Sequence, residues 1–309
     1  MQNYQELPKL RDSLSYVYVE HAVLDKHQQA VEFIRQDGRV LLPIASLGLL
    51  LLGPGTSITH AAIMTLARNG CSVMWTGEDV TRFYAQGMAE TRRAWRLLHQ
   101  AELVCNPQRR LEVVMRMYRQ RFERALPDGL TLPQIRGMEG VRVRQAYAEA
   151  ARRTGVTWHG RQYDLRNWNC GDPVNRALSA ANALLNGMCH AAILSGGYSP
   201  ALGFIHTGMQ TSFVFDVADL YKVEFTIPVA FEMAAASDEK IESRVRTACR
   251  AKFREAKLLQ RILPDIDALL DFNEEAHTAS QEADLDVNGV GPIHYWEPLE
   301  STGDDSHDT

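Results

Sequence analysis

The chain has 309 residues, of which 45% are hydrophobic and 23% are charged. This length allows about two domains, and this composition excludes disordered, collagen-like and membrane-embedded classes of protein. The net charge of −5 conceals a segregation, because residues 273–309 hold ten acidic residues and no Lys or Arg. The rest of the chain keeps 33 basic and 28 acidic residues, a balance of +5, and 27 of those bases are Arg. Arg binds phosphate oxygens in bidentate fashion, although an Arg-rich genome would give the same composition.

The features that report on the cellular compartment predict a cytoplasmic protein. The longest apolar run, Val40–Leu52, has about 13 residues, whereas a membrane-spanning helix needs about 20. The N-terminal sequence MQNYQELPKLRD lacks the basic and apolar regions of a secretory signal. The five cysteines are scattered and form no CxxC pair, which argues against a disulfide framework and against a zinc site.

Residues 13–85 form a region that is rich in predicted strands. β-Branched and aromatic runs alternate there with turn signals such as Asp37-Gly38. A helix over Thr59–Asn69 interrupts them, capped by Thr59 and ended by Gly70. The predicted strands are Tyr16–Val19, Ala30–Ile34, Val40–Ile44, Ser72–Trp75 and Arg82–Tyr84.

Helical spacing of apolar residues replaces these patterns from about residue 90 to residue 272. The chain is therefore predicted to be α+β, with a small N-terminal β-rich domain (1–88), a larger all-α domain (89–272) that holds the candidate site residues given below, and an acidic C-terminal tail (273–309). The predicted helices of the second domain are Leu97–Arg124, Leu132–Arg153, Pro173–Leu194, Phe215–Ala235 and Ile241–Leu270.

Four polar residues stand in surroundings that the pattern predicts to be apolar. Glu139 lies near the start of a predicted helix between Gly137 and Gly140, although a solvated helix face explains most single Glu residues. Asp216 and Asp219 are three residues apart, so one helical face would carry both carboxylates. Such a pair needs a compensating cation, either a metal ion or a basic side chain.

The fourth residue is His206, which lies between two glycines ten residues before Asp216. A single His is more often a satisfied core or loop residue than a ligand. Together with the three carboxylates it makes a ligand set that suits Mg²⁺ or Mn²⁺, and the absence of a thiolate disfavours zinc. The spacing alone does not connect Glu139 to the other three.

Arg and aromatic residues around these positions indicate what such a site would act on. Residues 91–124 contain nine Arg interleaved with Trp95, Tyr118 and Phe122, and the stretch 158–168 adds three aromatic and two Arg residues. Aromatic rings can stack on unpaired bases while Arg contacts the phosphate backbone. Many of these Arg residues could equally belong to ordinary helix surfaces.

The segments RGMEGVRVRQAYAEAARRTGVTWHGRQYD and GFIHTGMQTSFVFDVADLYK resemble a known family. This family is the CRISPR-associated spacer-acquisition integrase, the larger, catalytic subunit of the CRISPR adaptation complex, in the subtype that accompanies the Cascade effector. The resemblance covers roughly residues 10–270. It rests on a Glu, a GxxHTG and a DxxD in that order.

The resemblance implies a homodimer that works with a small second adaptation protein, which bridges two dimers. The substrate would be double-stranded DNA with splayed or single-stranded 3′ ends, which is joined into the CRISPR repeat by transesterification. The implied metal ligands are Glu139, His206 and Asp219, with Asp216 beside them in the site. The candidate DNA contacts are Arg82, Arg161, Tyr163, Lys222, Arg244 and Arg246.

Some positions depart from the family pattern, and several alternatives remain open. His21 replaces an expected Tyr that would wedge against the duplex end, Met209 and Ser57 replace basic residues, and Asn186 replaces a Tyr. His206 could be a metal ligand or a general base. A general metal-dependent nuclease would use the same residues with water as the nucleophile. A DNA-binding scaffold without catalysis is the third hypothesis.

Overall fold

The computed structural model describes residues 15–28, 30–35, 38–42, 44, 47–78, 82–87, 94–122, 126–127, 129–162 and 172–273. The described residues up to Phe272 belong to one compact unit, Met1–Phe272. The predicted boundary near residue 88, the predicted DNA contact Tyr163 and the acidic tail beyond residue 273 lie outside the described residues. The division at residue 88 therefore stays a prediction.

Two four-stranded sheets make up the described N-terminal part of the chain. The strands are β1 (Ser15–Val19), β2 (Val23–His27), β3 (Ala30–Arg35), β4 (Gly38–Leu42), β5 (Leu47–Leu52), β6 (Ser57–Ile58), β7 (Ser72–Thr76) and β8 (Phe83–Gly87), with helix α1 (His60–Arg68) between β6 and β7. One sheet has the order β1-β5-β7-β8, in which β5 pairs in parallel with both of its neighbours. The other sheet has the order β4-β3-β2-β6. The sequence prediction missed β2, β5 and β6.

Strand β5 connects the two halves of the fold. Successive side chains of a strand point to opposite faces of the sheet, and a strand that is buried on both faces is apolar throughout. Leu50 and Leu52 join the core of the β region, whereas Leu49 and Leu51 pack with Ala191 and Leu194 of the helical region. The leucine run does not alternate with polar residues because the strand is buried on both faces. The sequence prediction, which looked for alternation, therefore missed it.

The described chain from residue 95 onward is helical, so the predicted α+β fold class is confirmed. The helices are α2 (Trp95–Cys105), α3 (Pro107–Gln120), α4 (Leu132–Thr154), α5 (Pro173–Gly196), α6 (Ser212–Ala218), α7 (Ile227–Ala236), α8 (Ile241–Glu255) and α9 (Leu258–Leu270). A π-helical turn, Lys222–Thr226, lies between α6 and α7.

Three of the predicted long helices are each two separate helices. Leu97–Arg124 breaks at Asn106, which caps α3, and at Pro107, which begins it. Phe215–Ala235 breaks after Ala218 and continues through the π-helical turn. Ile241–Leu270 breaks at Lys257, whose φ of 48° is left-handed. Apolar periodicity continues across all three breaks, because both helices of each pair bury a face in the same core.

Helix α5 is the central element of the helical region. Fifteen of its residues are buried, and it packs against α6, α7, α8 and α9. By length and composition it could cross a membrane, but 67% of its apolar window is buried inside the protein. Its uniform apolarity is therefore that of a core helix surrounded by other helices.

We predict that Asn106→Ala lowers the free energy of unfolding by about 1 kcal/mol, because the Asn106 side chain accepts hydrogen bonds from the backbone N–H groups of Gln108 and Arg109 at 3.0 and 3.2 Å. Urea denaturation followed by circular dichroism measures the change. The control is Gln108→Ala in the exposed first turn of α3, which should change stability by less than about 0.5 kcal/mol. Equal effects of the two variants would contradict the capping role.

Candidate active site

Glu139 lies on the buried face of α4 together with Ile135 and Ala150. The helix begins with a reciprocal capping box between Thr131 and Gln134, which fixes its start eight residues before Glu139. The whole residue is 9% exposed, so the solvated-face interpretation of Glu139 is wrong. A carboxylate in that position needs compensating donors or cations.

Two guanidinium groups provide this compensation. Arg142, one turn along α4, donates Nε to Glu139 Oε2 at 2.8 Å and Nη2 to Oε1 at 3.0 Å. Arg121, at the C-terminal end of α3, approaches Oε1 with Nη1 at 3.5 Å. The bidentate Arg142 contact is the stronger of the two.

Asp216 is fully buried in α6 and holds the turn that presents His206. Its Oδ2 accepts the backbone N–H groups of Phe204 and Ile205 at 2.6 and 3.0 Å. Its Oδ1 accepts the backbone N–H of His206 at 2.9 Å and the ring Nδ1–H of the same residue at 2.7 Å. Four donors saturate the carboxylate, so Asp216 is a positioning residue rather than a direct ligand.

The imidazole of His206 is fixed by this contact and remains 44% exposed. The hydrogen bond from Nδ1 to the Asp216 carboxylate raises the pKa of His206 above its ordinary value. With the Nδ1 proton directed at Asp216, Nε2 lies on the opposite side of the ring. A carboxylate behind Nδ1 is the usual support of a His that binds through Nε2.

Asp219 lies at the C-terminal end of α6, where the regular helix stops. Its Oδ1 is 2.5 Å from Lys222 Nζ, and its Oδ2 is 3.9 Å from Arg121 Nη2. Lys222 begins the π-helical turn and lies three residues after Asp219, a spacing that places both side chains on one helical face. A basic side chain therefore compensates Asp219, as one of the two sequence hypotheses allowed.

These contacts bring the four predicted site residues into one region. Arg121 lies between the carboxylates of Glu139 and Asp219. The charges of Asp219 and Lys222 both affect the pKa of His206, and Asp216 is bonded to that ring. Asp216 and Asp219 are compensated differently, because Asp216 is bonded to the 204–206 turn and Asp219 contacts two cations.

Within the described part of the chain, no group of three or more His, Cys, Asp or Glu side chains is arranged to hold a metal ion. The residues present nevertheless fit Mg²⁺ or Mn²⁺ chemically. The carboxylates of Glu139 and Asp219 both lie close to the Arg121 guanidinium. Nε2 of His206 is on the side of the ring that faces away from the Asp216 carboxylate. Cys189 lies behind the site, and burial raises the pKa of its thiol, so it stays protonated and offers no thiolate for zinc.

Most of the predicted DNA contacts that the structure describes are engaged within the protein. Arg161 donates to the Asn175 carbonyl oxygen and to the Ser179 hydroxyl, both at 2.9 Å, and so ties its loop to α5. Arg244 donates to the carbonyl oxygen of Met233 in α7 and to that of Ser237, the residue that follows α7. These two residues have structural roles that the sequence did not reveal.

The remaining candidates differ in their exposure. Arg82 is exposed next to β8, and Arg246 is half-buried in α8. The Lys222 side chain is 29% exposed and lies beside Asp219. Lys222 and Arg82 are therefore the two described candidates with accessible charges.

The aromatic residues of the predicted base-stacking platform are partly in the core. Trp158 stacks on Tyr147 with ring centroids 4.8 Å apart and packs against Phe231 at 5.3 Å. Tyr118 is buried in the same core. Trp158 is half-buried, because part of its ring packs against Tyr147 of α4 and Phe231 of α7.

The four family departures occupy different environments. His21 is exposed with a left-handed φ of 51° and donates its N–H to the Pro54 carbonyl oxygen. Ser57 and Met209 are exposed. Asn186 is half-buried in α5, and its Oδ1 has no hydrogen-bond partner among the described residues.

Sequence reasoning missed Arg121 and Arg142, which are the partners of Glu139. The i, i+3 spacing from Glu139 to Arg142 was a usable signal. Arg121 follows Val114, Met117 and Tyr118 at helical spacing, so it continues the buried face of α3. A cation on an apolar face indicates a buried carboxylate nearby, but its position in the chain does not say which one.

A family profile and curated relatives match this chain. The profile described as CRISPR associated protein Cas1 matches residues 118–243, a range that contains all four candidate residues. The CRISPR-associated endonuclease Cas1 2 of Thermus thermophilus is 56% identical over 264 residues, covering 85% of this chain and 81% of that protein. The CRISPR-associated endonuclease Cas1 of Escherichia coli is 40% identical over 266 residues, covering 86% and 87%.

The fold of this chain is similar to the folds of solved structures. The crystal structure of a TtCas1-DNA complex has a TM-score of 0.77 and 55% identity, covering 85% of this chain and 99% of that chain. A casposase bound to integration product has a TM-score of 0.56, covering 84% and 91%. At 11% identity, that second likeness concerns the fold alone.

We predict that Asp216→Asn destabilises the protein by about 3 kcal/mol, because an amide presents N–H donors to backbone N–H groups that need an acceptor. Thermal and urea denaturation measure the loss. The matched control is Asp219→Asn, whose partly exposed ion pair with Lys222 contributes less than about 1 kcal/mol. Similar stability losses in the two variants would contradict the buried positioning role of Asp216.

We also predict that Gly203→Ala displaces the turn that carries His206. An added Cβ would lie 2.2 Å from the His206 carbonyl oxygen and 2.7 Å from Ser212 Cβ. Gly137→Ala is the control, because a Cβ there meets nothing within 4 Å among the described atoms and gains about 0.5–1 kcal/mol of helix propensity. A lower melting temperature for Gly203→Ala, and a higher one for Gly137→Ala, are expected by calorimetry. A Gly203→Ala variant as stable as the wild type would contradict the close approach.

Proposed function

Because the chain belongs to the Cas1 family of CRISPR-associated endonucleases, we propose that Glu139, His206 and Asp219 are the catalytic residues of its integrase activity in CRISPR adaptation. The reaction exchanges one phosphodiester for another: a 3′ hydroxyl of a short DNA attacks a phosphate of the repeat array, and the new strand joint forms as the old bond breaks. This exchange of phosphodiester bonds requires no nucleotide cofactor and no protein nucleophile.

One observation carries the proposal. A single buried guanidinium, Arg121, has the carboxylates of Glu139 and Asp219 on either side of it, although these residues are eighty positions apart in the chain. Asp216 meanwhile fixes the His206 ring from behind. Such convergence of partly buried charges from distant parts of the chain carries a desolvation cost and is typical of a catalytic site.

Glu139, Asp219 and Nε2 of His206 would hold the Mg²⁺ or Mn²⁺ ion. When bound, a divalent cation favours the attacking alkoxide and stabilises the extra negative charge on the phosphorus centre. We assign the ligand role to His206 because its Nδ1 proton is committed to Asp216, which leaves the Nε2 lone pair for coordination.

The chain's own side chains supply the remaining functions. Asp216 orients the imidazole and keeps the proton on Nδ1. Lys222, the accessible cation next to Asp219, would contact a phosphate oxygen of the DNA. Arg82 and Arg246 are proposed as further phosphate contacts and Tyr163 as a reader of the incoming DNA, whereas the guanidinium groups of Arg161 and Arg244 support the loops around them.

DNA is the proposed substrate, and the TtCas1-DNA complex supports this.

We further propose a homodimer in which the β domain (1–88) makes the dimer and partner contacts, and a small second adaptation protein that bridges two dimers in the cytoplasm. Val40 and Leu41 on β4, the edge strand of its sheet, are 62% and 59% exposed. Two adjacent exposed apolar residues on a sheet edge favour a protein contact there.

The test is a joining assay with the purified full chain, its small partner protein, a short duplex with 3′ hydroxyls and a supercoiled plasmid. We expect covalent joining with Mn²⁺ or Mg²⁺, none with EDTA, and a loss of at least about a hundredfold for Asp219→Asn with unchanged folding. Affinity for DNA should fall as salt rises, because phosphate contacts release counterions.

Control arms separate the alternatives. A duplex with 2′,3′-dideoxy ends removes the nucleophile and should abolish joining in the wild type. Strands that are shortened but never joined would favour the general nuclease. Full activity of Asp219→Asn would contradict the assignment of the site, and DNA binding without any processing in every arm would favour the scaffold.

A further inference from the structure

Arg121 is an unusually placed cation. Its side chain is 4% exposed at the end of α3, and its guanidinium carbon lies 5.1 Å from the centre of the Tyr118 ring. The aromatic face attracts the positive charge on one side and excludes water from it. The charge is therefore fixed in position and poorly screened by solvent.

The two carboxylates next to Arg121 are close but not tightly bonded to it. The distances to Glu139 and Asp219, 3.5 and 3.9 Å, exceed the 2.7–2.9 Å typical of charge-assisted hydrogen bonds. Nε and Nη2 of Arg121 have no hydrogen-bond partner among the described residues. Arg142 and Lys222 make the short contacts instead. Arg121 thus acts on the carboxylates mainly through its charge.

The basic side chains already balance the acidic ones in this site. Glu139 and Asp219 contact three permanent cations, and the Asp216 carboxylate behind His206 brings the formal charge to zero, with the imidazole counted as neutral, before any ligand arrives. A divalent cation added to this set would leave a charge of +2 in a partly buried region, which is unfavourable. DNA phosphates would offset that charge. The six residues are Glu139, Asp216, Asp219, Arg121, Arg142 and Lys222.

We infer, on the basis of the proposed function, that Arg121 is a positioning residue that makes divalent-cation binding depend on DNA. Its charge between Glu139 and Asp219 keeps the carboxylates assembled in the free protein and lowers their affinity for the ion. Phosphate groups compensate this charge in the complex, so ion and DNA each strengthen the binding of the other by the same factor.

Binding of Mn²⁺ measured by calorimetry and by electron paramagnetic resonance tests the inference without any turnover. The full-length protein is titrated alone and in complex with a duplex that ends in 2′,3′-dideoxynucleotides, which cannot be joined. For the wild type we expect about tenfold or stronger Mn²⁺ affinity in the DNA complex. Arg121→Gln should bind Mn²⁺ about tenfold more tightly than the wild type in the free protein, and its gain on adding DNA should be smaller.

The controls separate charge from structure. Arg121→Lys retains the charge and should keep the dependence on DNA. Arg119→Gln removes an equal charge from an exposed position two residues earlier and should leave both affinities unchanged. Melting temperatures in EDTA report whether Arg121→Gln is folded. If it is not, the inference is still overturned by equal Mn²⁺ affinity of the wild type with and without DNA, or by loss of the DNA dependence in Arg121→Lys, which retains the charge.

Equal Mn²⁺ affinity of the wild type with and without DNA would overturn the inference, as would an Arg121→Gln variant that behaves like the wild type in both titrations. The proposed function fails in a different way. Mn²⁺ binding that Asp219→Asn leaves unchanged would mean that the proposed metal site is wrong, whereas binding that requires Asp219 but is insensitive to DNA would refute only the role of Arg121.

Discussion

A carboxylate that remains ionised inside a protein requires donors or cations in place of its lost water, and this constraint organises the site region. Asp216 meets it with four hydrogen-bond donors, Glu139 with two guanidinium groups and Asp219 with a lysine and a guanidinium. Each solution has a structural consequence. The first fixes the 204–206 turn, the second anchors α4 to the end of α3, and the third holds the start of the π-helical turn.

The helical region provides a rigid support for these charges. Helix α5 lies at its centre, and the residues that face the site from behind, such as Cys189, are fully buried. The opposite side of α5 contacts β5 through Leu194 and Ala191. Because the same helix packs against the sheet and against α6, the positions of His206 and Asp219 are coupled to the β region within the Met1–Phe272 unit. A displacement of α5 would therefore alter the site.

Charged side-chain contacts lie close to the points at which the helices are interrupted. A continuous helix from residue 215 to residue 235 would carry Lys222 around the axis at the regular 100° per residue. Three residues make about 300°, so ordinary helical spacing already returns Lys222 to the face of Asp219, and the two side chains are 2.5 Å apart where the regular helix ends and the π-helical turn begins. The left-handed residue Lys257 likewise redirects α9, whose Asp267 accepts a bidentate contact from Arg96 and a hydrogen bond from Tyr198.

The sequence by itself determined the fold class, the order of the strand-rich and helical regions, and the family, because local periodicity and the motifs around Glu139, His206 and the two aspartates are properties of the chain alone. It could not separate the roles of Asp216 and Asp219, which depend on the distant groups that each one meets. It assigned Arg161 and Trp158 to DNA, since exposure is set by packing against α5 and α7 rather than by residue type. Only the tertiary structure brought Arg121 between Glu139 and Asp219, because electrostatic contacts between residues eighteen and ninety-eight positions away have no periodic signal in the sequence.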